Sequence, residues 1–153
     1  MGGYGGSGGA TKERCYYDTG GHKVTDNNAI FVAESYINEG KYVAFLQEKH
    51  GQERADLSVD GVHTEVKGLT TLNPDKISKR IEKADSQVKA DNKNYPDDTN
   101  KQGKIILLSK HGKDVSKEEI LAKMKEGLKR AQKNGEITSK VEVWIGEERI
   151  EIN

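Results

Sequence analysis

At 153 residues the chain fits a single domain with room for one core. Its 25 basic and 25 acidic residues cancel, which excludes a globally basic nucleic-acid binder and leaves such contacts to local patches. The one cysteine, Cys15, has no internal disulfide partner, and no run approaches the roughly 18 apolar residues of a membrane span or the apolar core of a signal peptide.

The opening "MGGYGGSGGA" reads as a flexible Gly-rich linker, either a natural tether or an expression scar. Residues 1–14 are therefore set apart from a single domain expected over 15–153. A domain that begins after such a segment is expected to be part of a longer protein. "YYDTGGHKVT" is turn-rich. Its glycine pair lacks the preceding strand and the spacing of a phosphate-binding loop, and His22 within it reads either as a surface histidine or as a substrate contact.

"TDNNAIFVAESYINEG" reads as a helix, with Thr25 or Asp26 as N-cap and Gly40 as its stop. Ile30, Ala33, Glu34 and Ile37 share a face at helical spacing, so a glutamate intrudes on the apolar stripe. "KYVAFLQEKHG" is a strand ended by Gly51, and "RADLSVDGVHTEVKGL" is a hairpin around Asp60-Gly61. "NPDKISKRIEKADSQVKA" is a second helix, with Asn73 as cap, Pro74 at its first position, and Ile77, Ile81, Ala84 and Val88 as its stripe. "DNKNYPDDTNKQG" reads as a polar loop, and "KIILLS" as a buried strand after Gly103. "SKEEILAKMKEGLKRAQKNG" is a third helix with a Ser116/Glu119 capping box and an apolar face of Ile120, Leu121, Met124, Leu128 and Ala131. "KVEVWIGEERIEI" is one more strand or a closing hairpin. The order α-β-β-β-α-β-α-β predicts an α/β fold with a central mixed sheet.

A two-residue Asp-Gly turn fixes the register of the hairpin. Val59 faces Val62, Ser58 faces His63, Leu57 faces Thr64, and Asp56 faces Glu65. Side chains alternate along each strand, so Ala55, Leu57, Val59, Val62, Thr64 and Val66 form a core face. Asp56, Ser58, His63, Glu65 and Lys67 form the other, polar one. Two opposed carboxylates repel, and a divalent cation between them reverses that sign. With Lys67 on the same face, the set matches the needs of metal-assisted phosphodiester hydrolysis: a Lewis acid, an activated water and a cation near the phosphate.

These residues resemble the PD-(D/E)XK nuclease superfamily, whose restriction-endonuclease-like core is α-β-β-β-α-β. Residues 25–109, a little over half of the chain, read in that order. The remainder, an added C-terminal helix and strand or strands, follows by fold order alone. "AESYINEGKYVAFLQEKHGQERADLSVDGVHTEVKGL" looks like the nuclease toxin domains at the C-termini of contact-dependent growth-inhibition and related polymorphic toxins. The resemblance implies Asp56 and Glu65 as metal ligands and Lys67 as the catalytic lysine. It makes Glu34 the helix carboxylate that binds metal or orients water, and matches Gln87 to a polar position often found on the following helix. Ala55 stands where the superfamily name has proline, at a variable position.

The implied cofactor is a divalent metal, Mg2+ first, with Mn2+ or Zn2+ as alternatives. The implied substrate is RNA, tRNA before others, with DNA as the alternative. The implied partner is a cognate immunity protein. The implied setting is the C-terminal part of a secreted or surface-displayed effector that acts in the target-cell cytoplasm, in bacterial competition.

Glu-x-Lys alone is a weak signal, since Glu39-Gly40-Lys41 repeats it in a chain that is 33% charged. The opposed Asp56, the Asp-Gly register and the intruding Glu34 strengthen it. His63 reads as an exposed histidine, a substrate contact, or the base of a metal-independent ribonuclease. Lys76, Lys79, Arg80 and Lys83 on the second helix could track a phosphate backbone, although Asp75, Glu82 and Asp85 are interleaved. Lys123, Lys125, Lys129, Arg130 and Lys133 read as a solvated face, with a nucleic-acid clamp as the alternative. Aromatics are too scattered for a stacking platform. From another class, a non-catalytic α/β binding module predicts no metal dependence.

Overall fold

The computed structural model describes residues 15–49, 51–95 and 102–153. The Gly-rich start and residues 96–101 of the expected loop lie outside the described residues. The elements run α1 (Asn27–Asn38), β1 (Val43–Phe45), β2 (Leu57–Val59), β3 (Val62–Leu69), α2 (Pro74–Asn94), β4 (Lys104–Ser109), α3 (Lys117–Asn134), β5 (Lys140–Ile145) and β6 (Glu148–Glu151). The strands form one mixed sheet in sequential order β1-β2-β3-β4-β5-β6. β3, β4 and β5 are parallel, and antiparallel pairs flank them. Among the described residues no helix is long and apolar enough to cross a membrane.

Both faces of the sheet are covered. On one, α2 and α3 bury Ile77, Ile81, Ala84, Met124 and Leu128 over Leu69, Ile105, Leu107, Val141 and Val143. On the other, α1 buries Ala29, Val32, Ala33 and Tyr36 over Leu57, Val66, Ile106, Leu108 and Trp144. The parallel strands are buried on both faces, which is why "KIILLS" is a continuous apolar run.

The caps follow the side-chain chemistry. Asp26 accepts from Asn28 and Ala29 N–H at the start of α1, Asn73 from Asp75 and Lys76 N–H at α2, and Ser116 from Glu119 N–H at α3. Gly40, at φ 84°, ends α1. Three expectations are corrected. The buried stripe of α1 is Ala29, Val32, Ala33 and Tyr36, with Ile30 packed beside it, so Glu34 sits at its margin and not within it. β1 keeps only three paired residues. α2 continues through residues 91–94, expected as loop, because Asp91 extends the buried stripe by one more turn and is itself fully buried.

Candidate functional site

The Asp60-Gly61 turn has φ 48° and 84° at its two residues, the left-handed pair of a type I′ hairpin. Register is as the turn dictates, with Val59 opposite Val62, Ser58 opposite His63 and Leu57 opposite Thr64. The paired ladder stops there, one position short of Asp56 and Glu65. Side chains take over its hydrogen bonds. Asp56 N–H donates to Glu65 Oε1 at 3.2 Å, and Val66 N–H donates to Asp56 Oδ2 at 2.9 Å. Each carboxyl thus satisfies a backbone donor of the other strand, and the two are held together where β2 leaves β3.

The pair is electrostatically costly. Burial is the main cause that raises both groups. Asp56 is pushed up to about 6, against a lowering bond from Val66 N–H, with the Asp26 charge adding to the rise. Glu65 is pushed up to about 8 by burial and then by the Asp56 charge, with Lys67 opposing. Both carboxyls are thus held above their ordinary values by the same burial, and their proximity adds to the rise of Glu65. Lys67 Nζ lies 3.1 Å from Glu65 Oε2 and donates to Gln87 Oε1 at 2.8 Å.

The expected polar hairpin face is roofed by α2 over His63 and Glu65, while Asp56, Ser58 and Lys67 stay partly exposed. His63 is buried at 1% exposure, which corrects its reading as an exposed histidine and removes it from direct substrate contact. Its Nδ1 stands 2.5 Å from Asp91 Oδ2. Asp91 also accepts from Arg54 Nε at 3.0 Å and from Ala55 N–H at 3.3 Å. Burial opposes the Asp91 charge, yet the bond and charge of His63 and the charge and bond of Arg54 hold its carboxyl below the ordinary value. The Tyr95 ring lies 3.7 Å from the Arg54 guanidinium carbon.

Glu34 is not drawn into this group. It is partly buried and accepts from the Tyr16 hydroxyl at 2.9 Å. Asp26, the cap of α1, is the helix carboxylate whose charge reaches Asp56. The N-terminal end of α1 packs on the end of β3, where a Cβ on Gly68 would stand 2.5 Å from Asn28 Nδ2. A larger residue there would make the Asn28 side chain move. Among the described residues no three His, Cys, Asp or Glu side chains form a cation-holding group. Asp56 and Glu65 alone would hold a metal, with water and substrate oxygens completing its coordination. The chemistry of the donors fits: two carboxyls raised by burial stand together, and a divalent cation would offset the charge that burial disfavours.

Lys76, Arg80, Lys83 and Gln87 share one helical face of α2, and Gln87 and Arg80 fix where it lies. Gln87 meets Lys67, and Arg80 Nη2 donates to Gly68 O at 3.4 Å. Lys76, Lys79, Arg80 and Lys83 are all exposed. The interleaved acids turn to other partners: Asp75 to Arg130, Glu82 to Ser78 and Asn134, Asp85 to Thr138, Ser139 and Lys89. Among the described residues no carboxylate pairs with the basic stripe beside the carboxylates. On α3, Arg130 is instead paired with Asp75 and Glu126.

Sequence reasoning missed Asp26, Arg54 and Asp91. Asp91 carried a usable signal, since it falls three residues after Val88 on the α2 stripe. Asp26 gave none beyond its capping role. No family model, curated protein or solved structure matches the chain.

Proposed function

We propose that the chain is a metal-dependent nuclease of the PD-(D/E)XK type, acting on RNA with tRNA as its favoured substrate. The carrying observation is the buried meeting of Asp56 and Glu65 where the β2–β3 ladder stops, with Lys67 on the Glu65 carboxylate. The α-β-β-β-α-β order over Asn27–Ser109 supports the same core. A pair held at this electrostatic cost contributes nothing to stability that neutral residues would not, which speaks against a plain binding module.

Asp56 and Glu65 would hold the cation. When bound, it supplies Lewis acidity toward a phosphate oxygen and lowers the pKa of water. Lys67, anchored by Gln87, directs an ammonium at the charge that builds on the phosphate. The α2 stripe of Lys76, Arg80 and Lys83 aligns the polyanion. Glu34 serves α1 packing through Tyr16 in this reading, and Asp26 occupies the helix-carboxylate role beside Asp56. As a toxin domain of a larger secreted or surface-displayed effector, the protein would act in the target-cell cytoplasm. An immunity protein in the producing cell would cover the carboxylate cleft or the basic stripe.

Incubation with total RNA and with plasmid DNA, with Mg2+ or with EDTA, tests this. RNA cleavage with Mg2+, abolished by EDTA and by Asp56→Ala, is expected. Cleavage that persists in EDTA overturns the metal reading, and full activity of Asp56→Ala overturns the site. Cleavage of the plasmid alone selects a DNase of the same fold.

A further inference from the structure

Asp91 is the deepest carboxylate among the described residues, at 0% exposure. It stands one helical turn beyond Gln87 on α2. Its three donors come from two places: Arg54 Nε and Ala55 N–H from the segment that runs into Asp56, and His63 Nδ1 from β3, two residues before Glu65. Because a carboxylate only accepts, the His63 ring presents Nδ1–H to it in either charge state. Tyr95, at the C-terminal end of α2, closes over Arg54.

Backbone pairing holds β2 to β3 only as far as Leu57. Beyond that point residues 54–56 have no ladder with β3. Leu46 N–H still donates to Asp56 O at 3.0 Å from the β1 side, and two sets of side-chain contacts tie the segment to β3 and α2. One is the carboxyl exchange with Glu65 and Val66, and the other is Asp91. The first tether is made by the candidate site's own side chains, so only a contact from outside the pair can set its geometry. The second comes from the same helix that holds Lys67 through Gln87.

We propose that Asp91, through Arg54 and His63, is a positioning residue that sets the separation of Asp56 from Glu65 and Lys67. This rests on the nuclease reading for its catalytic consequence but not for its structural one. One face of α2, through Gln87 and Asp91, is then a template for all three reactive side chains. No substrate atom reaches Asp91. Its effect passes entirely through the 54–56 segment.

Asp91→Asn tests it in the full chain. The amide presents an N–H to at least one of three donors, so one contact is lost while size is kept. Amide hydrogen exchange by NMR, without metal, reads the geometry. Exchange at Asp56 and Val66 is expected to quicken at least tenfold, with Ile106 and Val143 in the sheet core within twofold of wild type. With RNA and Mg2+, kcat is expected to fall roughly tenfold to a hundredfold, as for groups that orient metal ligands, with KM within about threefold because the basic stripe is untouched.

Unchanged exchange at Asp56 and Val66 overturns the proposal whether or not the protein cleaves RNA. Quickened exchange in a protein whose wild type cleaves nothing would sustain the positioning and sink the nuclease reading. Should Asp91→Asn not fold, His63→Asn and His63→Leu replace it. The Asn side chain keeps an N–H donor toward Asp91 and is expected to retain Asp56 and Val66 protection that Leu loses. Equal exchange in the two overturns the proposal.

Discussion

Replacing Glu65 with glutamine separates the cost of the carboxyl pair from everything else in the fold. In the unfolded chain Glu65 releases its proton near its ordinary 4.5, whereas in the fold burial and Asp56 hold it to about 8. The folded state therefore binds the extra proton between those values. By linkage, stability is fully present below about 4.5 and is lost as pH rises toward about 8. At about 1.4 kcal/mol per unit the full loss is of order 5 kcal/mol. Most of it falls between about pH 5 and pH 9, where the wild type drops by roughly 4 kcal/mol relative to Glu65→Gln. For a chain of this size that corresponds to about 8–16 °C in Tm. The amide still accepts from Asp56 N–H, so the backbone bond survives. The assay is thermal or urea unfolding of both proteins in metal-free buffer from pH 5 to pH 9. Curves that stay parallel to within about 1 kcal/mol across that range would refute the reasoning. Added Mg2+ should flatten the wild-type slope only, because binding expels the extra proton.

Lys67→Met should lower kcat on RNA by roughly 10²–10³ with KM within about threefold, the signature of charge stabilised only in the transition state, read by steady-state cleavage kinetics. Arg80→Gln combined with Lys83→Gln should instead raise KM and reduce the slope of log KM against log salt by up to about two, since two phosphate contacts are lost. Glu34→Gln should leave cleavage within about threefold, because the Tyr16 hydroxyl still finds an acceptor. Asp26→Ser keeps a helix cap but removes a charge that raises Asp56, so the acid limb of the pH–rate profile should move to lower pH.

Much of this was legible because local rules and global packing agree. Asp60-Gly61 alone set the β2–β3 register, and the caps Asp26, Asn73 and Ser116 marked the helix starts. The juxtaposition of Asp56, Glu65 and Lys67 followed from that register by parity. The roof over them did not, because alternation says which side chains share a face and not what covers it. A face with two acids, a histidine and a lysine looks solvated by composition. It is buried at His63 and Glu65 because α2 brings polar partners, Gln87 and Asp91, that satisfy it. The α1 stripe was misread for a related reason. Four buried positions at helical spacing include Tyr36, an amphipathic residue whose ring reads equally as surface or core until Trp144 and Arg149 are seen against it.

The site lies where the β2–β3 ladder stops, and a single cause accounts for both. A continuous β2–β3 ladder would place Asp56 and Glu65 on a flat strand pair, their carboxyls projecting in parallel. Where the ladder ends at Leu57, Val66 N–H loses its backbone acceptor on β2, and Asp56 N–H, which an unbroken ladder would aim at β1, turns to β3, so both need acceptors on the opposing strand. The carboxyls supply them, and in doing so are turned toward each other. The hydrogen bonds lost from the sheet are therefore what aim the acids. Their mutual repulsion is opposed by Lys67 on β3, and the segment that carries Asp56 is held by Asp91 on α2. An arrangement that trades ladder bonds for facing carboxyls gains little as architecture, and under the proposed function a cation between them would offset their repulsion.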